Sequence, residues 1–194
     1  MMIPKHRLDG LTDAVFGVAM TLLVIDLRLP ESFFPHGAGE LLRAVSDLWA
    51  QFLAYAISFF VLGRQWMALA KLAARTEAVT DRVAVWSLVH LFLVACIPFS
   101  TMLVGRYGEF APAIWVYAAN IIVAALVMLR LMALADQPAD PGDEYSWRGA
   151  LIALIVVALM SVVVSTIDPS HAMWAYLLLV LTPLLQKWRA RAKA

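Results

Sequence analysis

The chain has 194 residues, 63% of them hydrophobic, and a formal net charge of +1; its mean hydropathy is +0.81. Soluble domains are about 45–50% apolar, so much of this surface must meet lipid, and no basic block is long enough for a nucleic-acid partner. One cysteine, Cys96, makes no intramolecular disulfide and no metal site by itself.

A membrane-crossing helix needs roughly 20 mostly apolar residues. Six segments qualify, at about 9–29, 45–70, 83–104, 111–135, 149–167 and 171–188, which predicts one six-helix domain over residues 1–194. No cleavable leader is expected, because acids follow the basic start MMIPKHRLDG and no A-x-A site closes the apolar run.

The first segment, RLDGLTDAVFGVAMTLLVIDLRLP, carries acids at both ends. Asp13 and Asp26 are 13 residues apart, about 20 Å along a helix, inside a hydrocarbon core of about 30 Å. Either helix one lines an aqueous path, or the two carboxylates sit at the bilayer interfaces, bonded to neighbouring helix ends. Thr12 and Asp13 suit a helix N-cap and first turn. With Arg7 they read as a polar clasp at the cytoplasmic base. Ala14, Val18, Thr21, Leu22 and Ile25 form one stripe. Val15, Phe16, Ala19, Leu23 and Val24 lie opposite, and both faces are apolar, so periodicity does not choose between them. Gly17 offers a site of close helix approach.

The second segment runs on as RQWMALAKLAAR and should protrude from the bilayer. In the third, His90 is either a packed, hydrogen-bonded residue or a proton relay. Pro98 should kink this helix, with Ser100 and Thr101 re-satisfying freed backbone groups. Asn120 reads as an interhelical hydrogen bond, and Ser161, Ser165 and Thr166 as packing contacts. Trp147, Trp174, Trp188 and Tyr176 read as interfacial anchors. Residues 135–146, ADQPADPGDEYS, form a loop.

Basic residues cluster at the N-terminus, between helices two and three (Arg64, Lys71, Arg75, Arg82), and at the C-terminus (Lys187, Arg189, Arg191, Lys193). Six crossings bring all three to one side, so both termini should be cytoplasmic in a multi-pass plasma-membrane protein. There is no G-x-S-x-G, H-E-x-x-H, P-loop or G-x-G-x-x-G, and His6, His36, His90 and His171 have no metal-ligand spacing. An enzyme is not expected, nor any cofactor.

Arg7, Leu11, Thr12 and Asp13 resemble the R-x-x-x-F-S-D first-helix signature of the endosomal/lysosomal potassium channel family, in its bacterial six-helix branch, with Leu for Phe and Thr for Ser. The likeness continues through FLAYAISFFVLGRQW (52–66) and LFLVACIPFSTMLVGRY (91–107). After Trp66 the family commonly carries histidines, where this chain reads MALAKL. The resemblance implies a potassium-permeable, leak-like channel. It would be an all-α homotetramer in the lipid bilayer, with helix one lining the central pore and no metal beyond permeating potassium. It also implies a constriction at Val18, Leu22 and Ile25 and a selectivity hydroxyl at Thr21. Apolar rings gate by dewetting, and the T-V-G-Y-G carbonyl filter is absent. Asp26, one turn beyond Ile25, either attracts cations at the outer mouth or pairs with Arg28 or a neighbouring helix. The alternative function is a secondary transporter or proton pathway using Asp13, His90 and Asp26, although inverted repeats and broken helices are not evident.

Overall fold

The computed structural model describes residues 4–75, 79–134 and 141–178. Over these residues the chain is entirely helical. The helices are α1 (Lys5–Ile25), α2 (Ala38–Asp47), α3 (Trp49–Arg75), α4 (Asp81–Tyr107), α5 (Ala111–Leu134) and α6 (Pro141–Ser165), followed by a 3-10 segment, Pro169–Tyr176. Five of them (α1, α3, α4, α5 and α6) are long and apolar enough to cross a membrane. The expected sixth crossing, 171–188, opens on the 3-10 segment and lies mostly outside the described residues. The expected loop at 135–146 gives way from Pro141 onward to the start of α6, since proline is tolerated in a helix's first turn.

The expected start of the second crossing at 45 falls inside a separate short helix. α2 has apolar Leu41, Leu42 and Val45 toward one side and Glu40, Arg43 and Asp47 toward the other, and none of its residues is buried. α3 then has 27 residues, about 40 Å of helix. That exceeds the hydrocarbon core and fits the expected protrusion.

α4 and α5 form the centre, α1 leans on α3 and α4, and α6 with the 3-10 segment covers α5. Local chemistry sets the ends of α4. The Thr80 hydroxyl accepts from the Val83 amide, Asp81 sits in the first turn and Arg106 in the last, each suited to the helix dipole. At Gly108 a Cβ would lie 2.6 Å from the Val104 carbonyl oxygen, so only glycine fits the turn into α5.

Polar side chains join these helices where lipid offers no partner. The Ser58 hydroxyl lies 3.0 Å from that of Tyr117 and 2.8 Å from that of Thr101. Asn120 donates to Ser100 at 3.3 Å, the expected interhelical bond. Trp115 donates to Ser165, and Ser161 to Tyr176, so both serines are packing residues as expected. Thr166 instead is exposed and turns back to the Val163 carbonyl. Tyr176 is fully buried edge-on against Tyr117, so it is a core residue, not an interfacial anchor. Trp174 does sit at the surface, against Trp49, and Trp147 lies under the Lys71 ammonium; Trp188 lies outside the described residues. α4 continues through Pro98. Ser100 and Thr101 both donate to the Ile97 carbonyl, not to that of Val94, which is the carbonyl a proline at 98 releases.

Candidate functional site

The packing separates the two apolar faces that periodicity left equivalent. Phe16, Ala19 and Leu23 are 1–2% exposed, seated on α3 and α4. On the other side Val18 is 57% exposed, Leu22 42% and Ile25 61%, with Leu11 at 44%. At about 100° per residue these four lie together, opposite the seated face. Val24, grouped with the seated face on sequence, is 49% exposed and lies on a flank. A Cβ at Gly17 would meet open space, so this glycine does not admit another helix of the same subunit.

Thr21 is exposed beside the bare stripe, and its hydroxyl donates to the Gly17 and Val18 carbonyls at 3.0 and 2.9 Å. With its proton so committed, the oxygen keeps lone pairs free to accept or to coordinate a cation.

The base of α1 is built differently from the expected clasp. The helix starts at Lys5, after Pro4, so Thr12 and Asp13 lie in its interior rather than at an N-cap. The Thr12 hydroxyl donates to the Leu8 carbonyl at 2.9 Å. The Asp13 carboxylate accepts the Trp66 indole N–H at 2.8 Å, which joins α1 to α3. Arg7 is exposed, and among the described residues its guanidinium has no partner. Six residues of helix separate it from Asp13 by about 9 Å and about 120° of turn, which is why proximity in sequence does not become a pair within the subunit. The lysine one turn before Asp9 does pair, Lys5 to Asp9 at 3.2 Å.

Behind this base lies a cavity of about 340 Å³ between α1, α3, α4 and α5. At the opposite end of α1, Asp26 is 3.8 Å from Arg106 of α4, a neighbouring-helix partner, while Arg28 pairs with Glu31 at 3.5 Å. His90 is fully buried, 3.0 Å from the Gln65 side-chain oxygen and against the Phe16 ring. Asp13, Asp26 and His90 therefore each have a separate partner in the subunit. Trp66, Gln65 and Arg106 are the partners sequence reasoning did not assign. Gln65 and Trp66 stood beside each other in the segment carrying the resemblance, but no spacing rule linked them to residues on other helices.

Taken together, these features define a multi-pass, all-helical membrane protein whose first helix is held along one side and bare along the other. Residues 7–98 match the family model of the endosomal/lysosomal potassium channel TMEM175. A potassium channel of Streptomyces collinus is 33% identical over 136 residues, covering 70% of this chain and 63% of that protein. One from Chamaesiphon minutus is 30% identical over 131 residues, covering 64% and 63%. The chain thus spans somewhat under two thirds of the length of these relatives. The crystal structure of a lysosomal potassium-selective channel TMEM175 homolog from Chamaesiphon minutus superposes with a TM-score of 0.74 at 23% identity, over 93% of this chain and 96% of that one, and has the same fold. The family model matches a little under half of the chain, and what the chain is similar to along this stretch are ion channels.

Proposed function

We propose that the chain is one subunit of a potassium-permeable cation channel, a homotetramer of single six-helix domains, 1–194, with α1 from each subunit around the pore. Segment 171–188 completes the sixth crossing. The channel lies in the plasma membrane with both termini cytoplasmic. Val18, Leu22 and Ile25 form stacked apolar rings, and Thr21 supplies hydroxyl oxygens beside them. Four Asp26 carboxylates at the outer mouth attract cations even while paired to Arg106. The signature residues Arg7, Leu11, Thr12 and Asp13 hold the cytoplasmic base, with Arg7 turned away from its own subunit toward a neighbour.

The observation that carries this reading is the bare stripe on α1. The residues the family resemblance assigns to the constriction are 42–61% exposed, whereas the seated residues one position along the chain are buried. A single subunit gains nothing from leaving that stripe open; an assembly around a pore requires it. Such rings exclude ions by dewetting and bind none tightly.

Cation flux into liposomes tests it. Leu22→Ser should hydrate its ring and raise potassium flux severalfold, with potassium-over-sodium selectivity falling or unchanged. Leu23→Ser, on the seated face, should lower the yield of folded protein and raise no flux. A flux increase from Leu23→Ser and none from Leu22→Ser would mean that α1 presents its other face to the pore. Light scattering on the solubilised protein should report four subunits, and a conducting monomer would defeat the shared pore.

A further inference from the structure

The cavity at the base of α1 is used by none of the roles above. Its volume, about 340 Å³, lies within the range of small-molecule sites, about 300–1,000 Å³. Its lining has the composition of such sites, mostly aliphatic with a few polar groups. Leu8, Leu69, Val83 and Leu131 give apolar walls, and Ala70 and Ala73 leave room where larger side chains would close it.

The charged groups and the indole set its polarity, beside the Thr12 and Ser87 hydroxyls. Lys5 and Asp9 neutralise each other at 3.2 Å. Asp13 takes only a neutral N–H, from Trp66, so it keeps its charge and its second oxygen. The lining therefore carries one net negative charge beside an indole. An indole next to a carboxylate, with aliphatic walls behind, is the chemistry that recognises an organic ammonium ion: cation–π attraction, charge pairing and burial of the hydrocarbon part. A fatty-acid carboxylate or a phosphate would meet the Asp13 charge unfavourably.

We infer that this cavity binds an amphipathic organic ammonium ion, with the ammonium at Asp13 and Trp66 and the hydrocarbon between Leu8, Val83 and Leu131. The site is also placed to act on α1. A ligand there wedges between α1 and α3, beside the bond that holds α1 to α3 at its cytoplasmic end. Its effect on ion flux rests on the channel reading; its binding does not.

The test is calorimetric titration of the detergent-solubilised full chain with benzyltrimethylammonium. Its uncharged carbon analogue, neopentylbenzene, is the control. Saturable binding is expected, with the neutral analogue at least tenfold weaker. Ala70→Phe, which fills the cavity and leaves the charges in place, should weaken binding at least tenfold with the melting temperature retained. Asp13→Asn should weaken it by a similar factor where that variant assembles. Equal binding of the two compounds would overturn the assignment, since it would report partition into apolar surface. Undiminished binding by a folded Ala70→Phe variant would also overturn it, since the cation would then sit elsewhere, the pore included. Loss of flux on titration that persists in Ala70→Phe would mean pore block and likewise defeat the site.

Discussion

α1 and α5 are both long apolar helices, and by hydropathy each crosses a membrane. Their surroundings differ sharply. Ten residues of α5 are buried, over about half its circumference from Ala113 to Leu131, with Trp115, Val116, Val123 and Leu126 exposed on the other half, but only Phe16, Ala19 and Leu23 of α1 are buried. α5 packs about half its surface against protein. α1 packs a much narrower strip, and its apolar stripe at Val18, Leu22 and Ile25 has no packing within the subunit. The acids distinguish them in advance: α5 has none within its span, whereas α1 carries Asp9, Asp13 and, just beyond its end, Asp26.

The sharpest way to break this contrast is to cut equal apolar groups from the two sides of α1. Phe16→Ala removes a ring that is 1% exposed and should cost about 3–5 kcal/mol, read as a large drop in melting temperature or in folded yield. Leu22→Ala, on the bare stripe, should cost under about 1 kcal/mol, as surface substitutions do. Comparable losses would show that the stripe is packed in the working protein. A smaller effect is expected inside the α5 core. Tyr117→Phe takes away one hydroxyl of the Ser58–Thr101–Tyr117 chain. Ser58 keeps its hydrogen bond with the Thr101 hydroxyl, so the loss should be about 1 kcal/mol with flux unchanged. A flux change would tie this network to conduction and weaken the division of labour between the two helices.

The smallest effect lies beside α5, where the 3-10 segment begins. Asp168 accepts from the Ser170 hydroxyl and amide and contacts His171. The Ser170 hydroxyl first, then His171, holds the Asp168 carboxyl below its ordinary value of 3.8. Because the folded value is lower than the unfolded one, this contribution is complete above pH 3.8 and fades as pH falls through the folded value. Melting curves on the acid side of that point should show a slight decline that Asp168→Asn abolishes. An identical decline in the variant would assign the acid response to other carboxylates.

The helices were legible because lipid imposes length and apolarity on them, and five described spans fall near their expected places. What escaped was whatever depends on rotation. Both faces of α1 read as apolar, so only packing against α3 and α4 could separate Leu22 from Leu23. Arg7 and Asp13 looked adjacent in sequence, but the helical turn parts them and gives Asp13 to a tryptophan 53 residues away. Tyr176 read as an interfacial anchor alongside the tryptophans, as amphipathic aromatic rings do at a membrane surface. The 3-10 segment instead turns it inward to Tyr117. α2 went unread because its ten residues are too few to span a bilayer and were absorbed into the next crossing.

α1 is fastened near its two ends by different means: an indole hydrogen bond to α3 at Asp13 and a half-exposed ion pair to α4 at Asp26. Along the middle it is held by dispersion contacts, and its one hydroxyl there, Thr21, bonds only to its own helix turn. In mechanical terms it is a rod with a pivot at each end and a smooth bearing between. Torque about its long axis meets little directional resistance, whereas tilting must strain a pivot. On the proposed channel reading, rotation about that axis would turn Val18 and Leu22 away from the pore without moving either end.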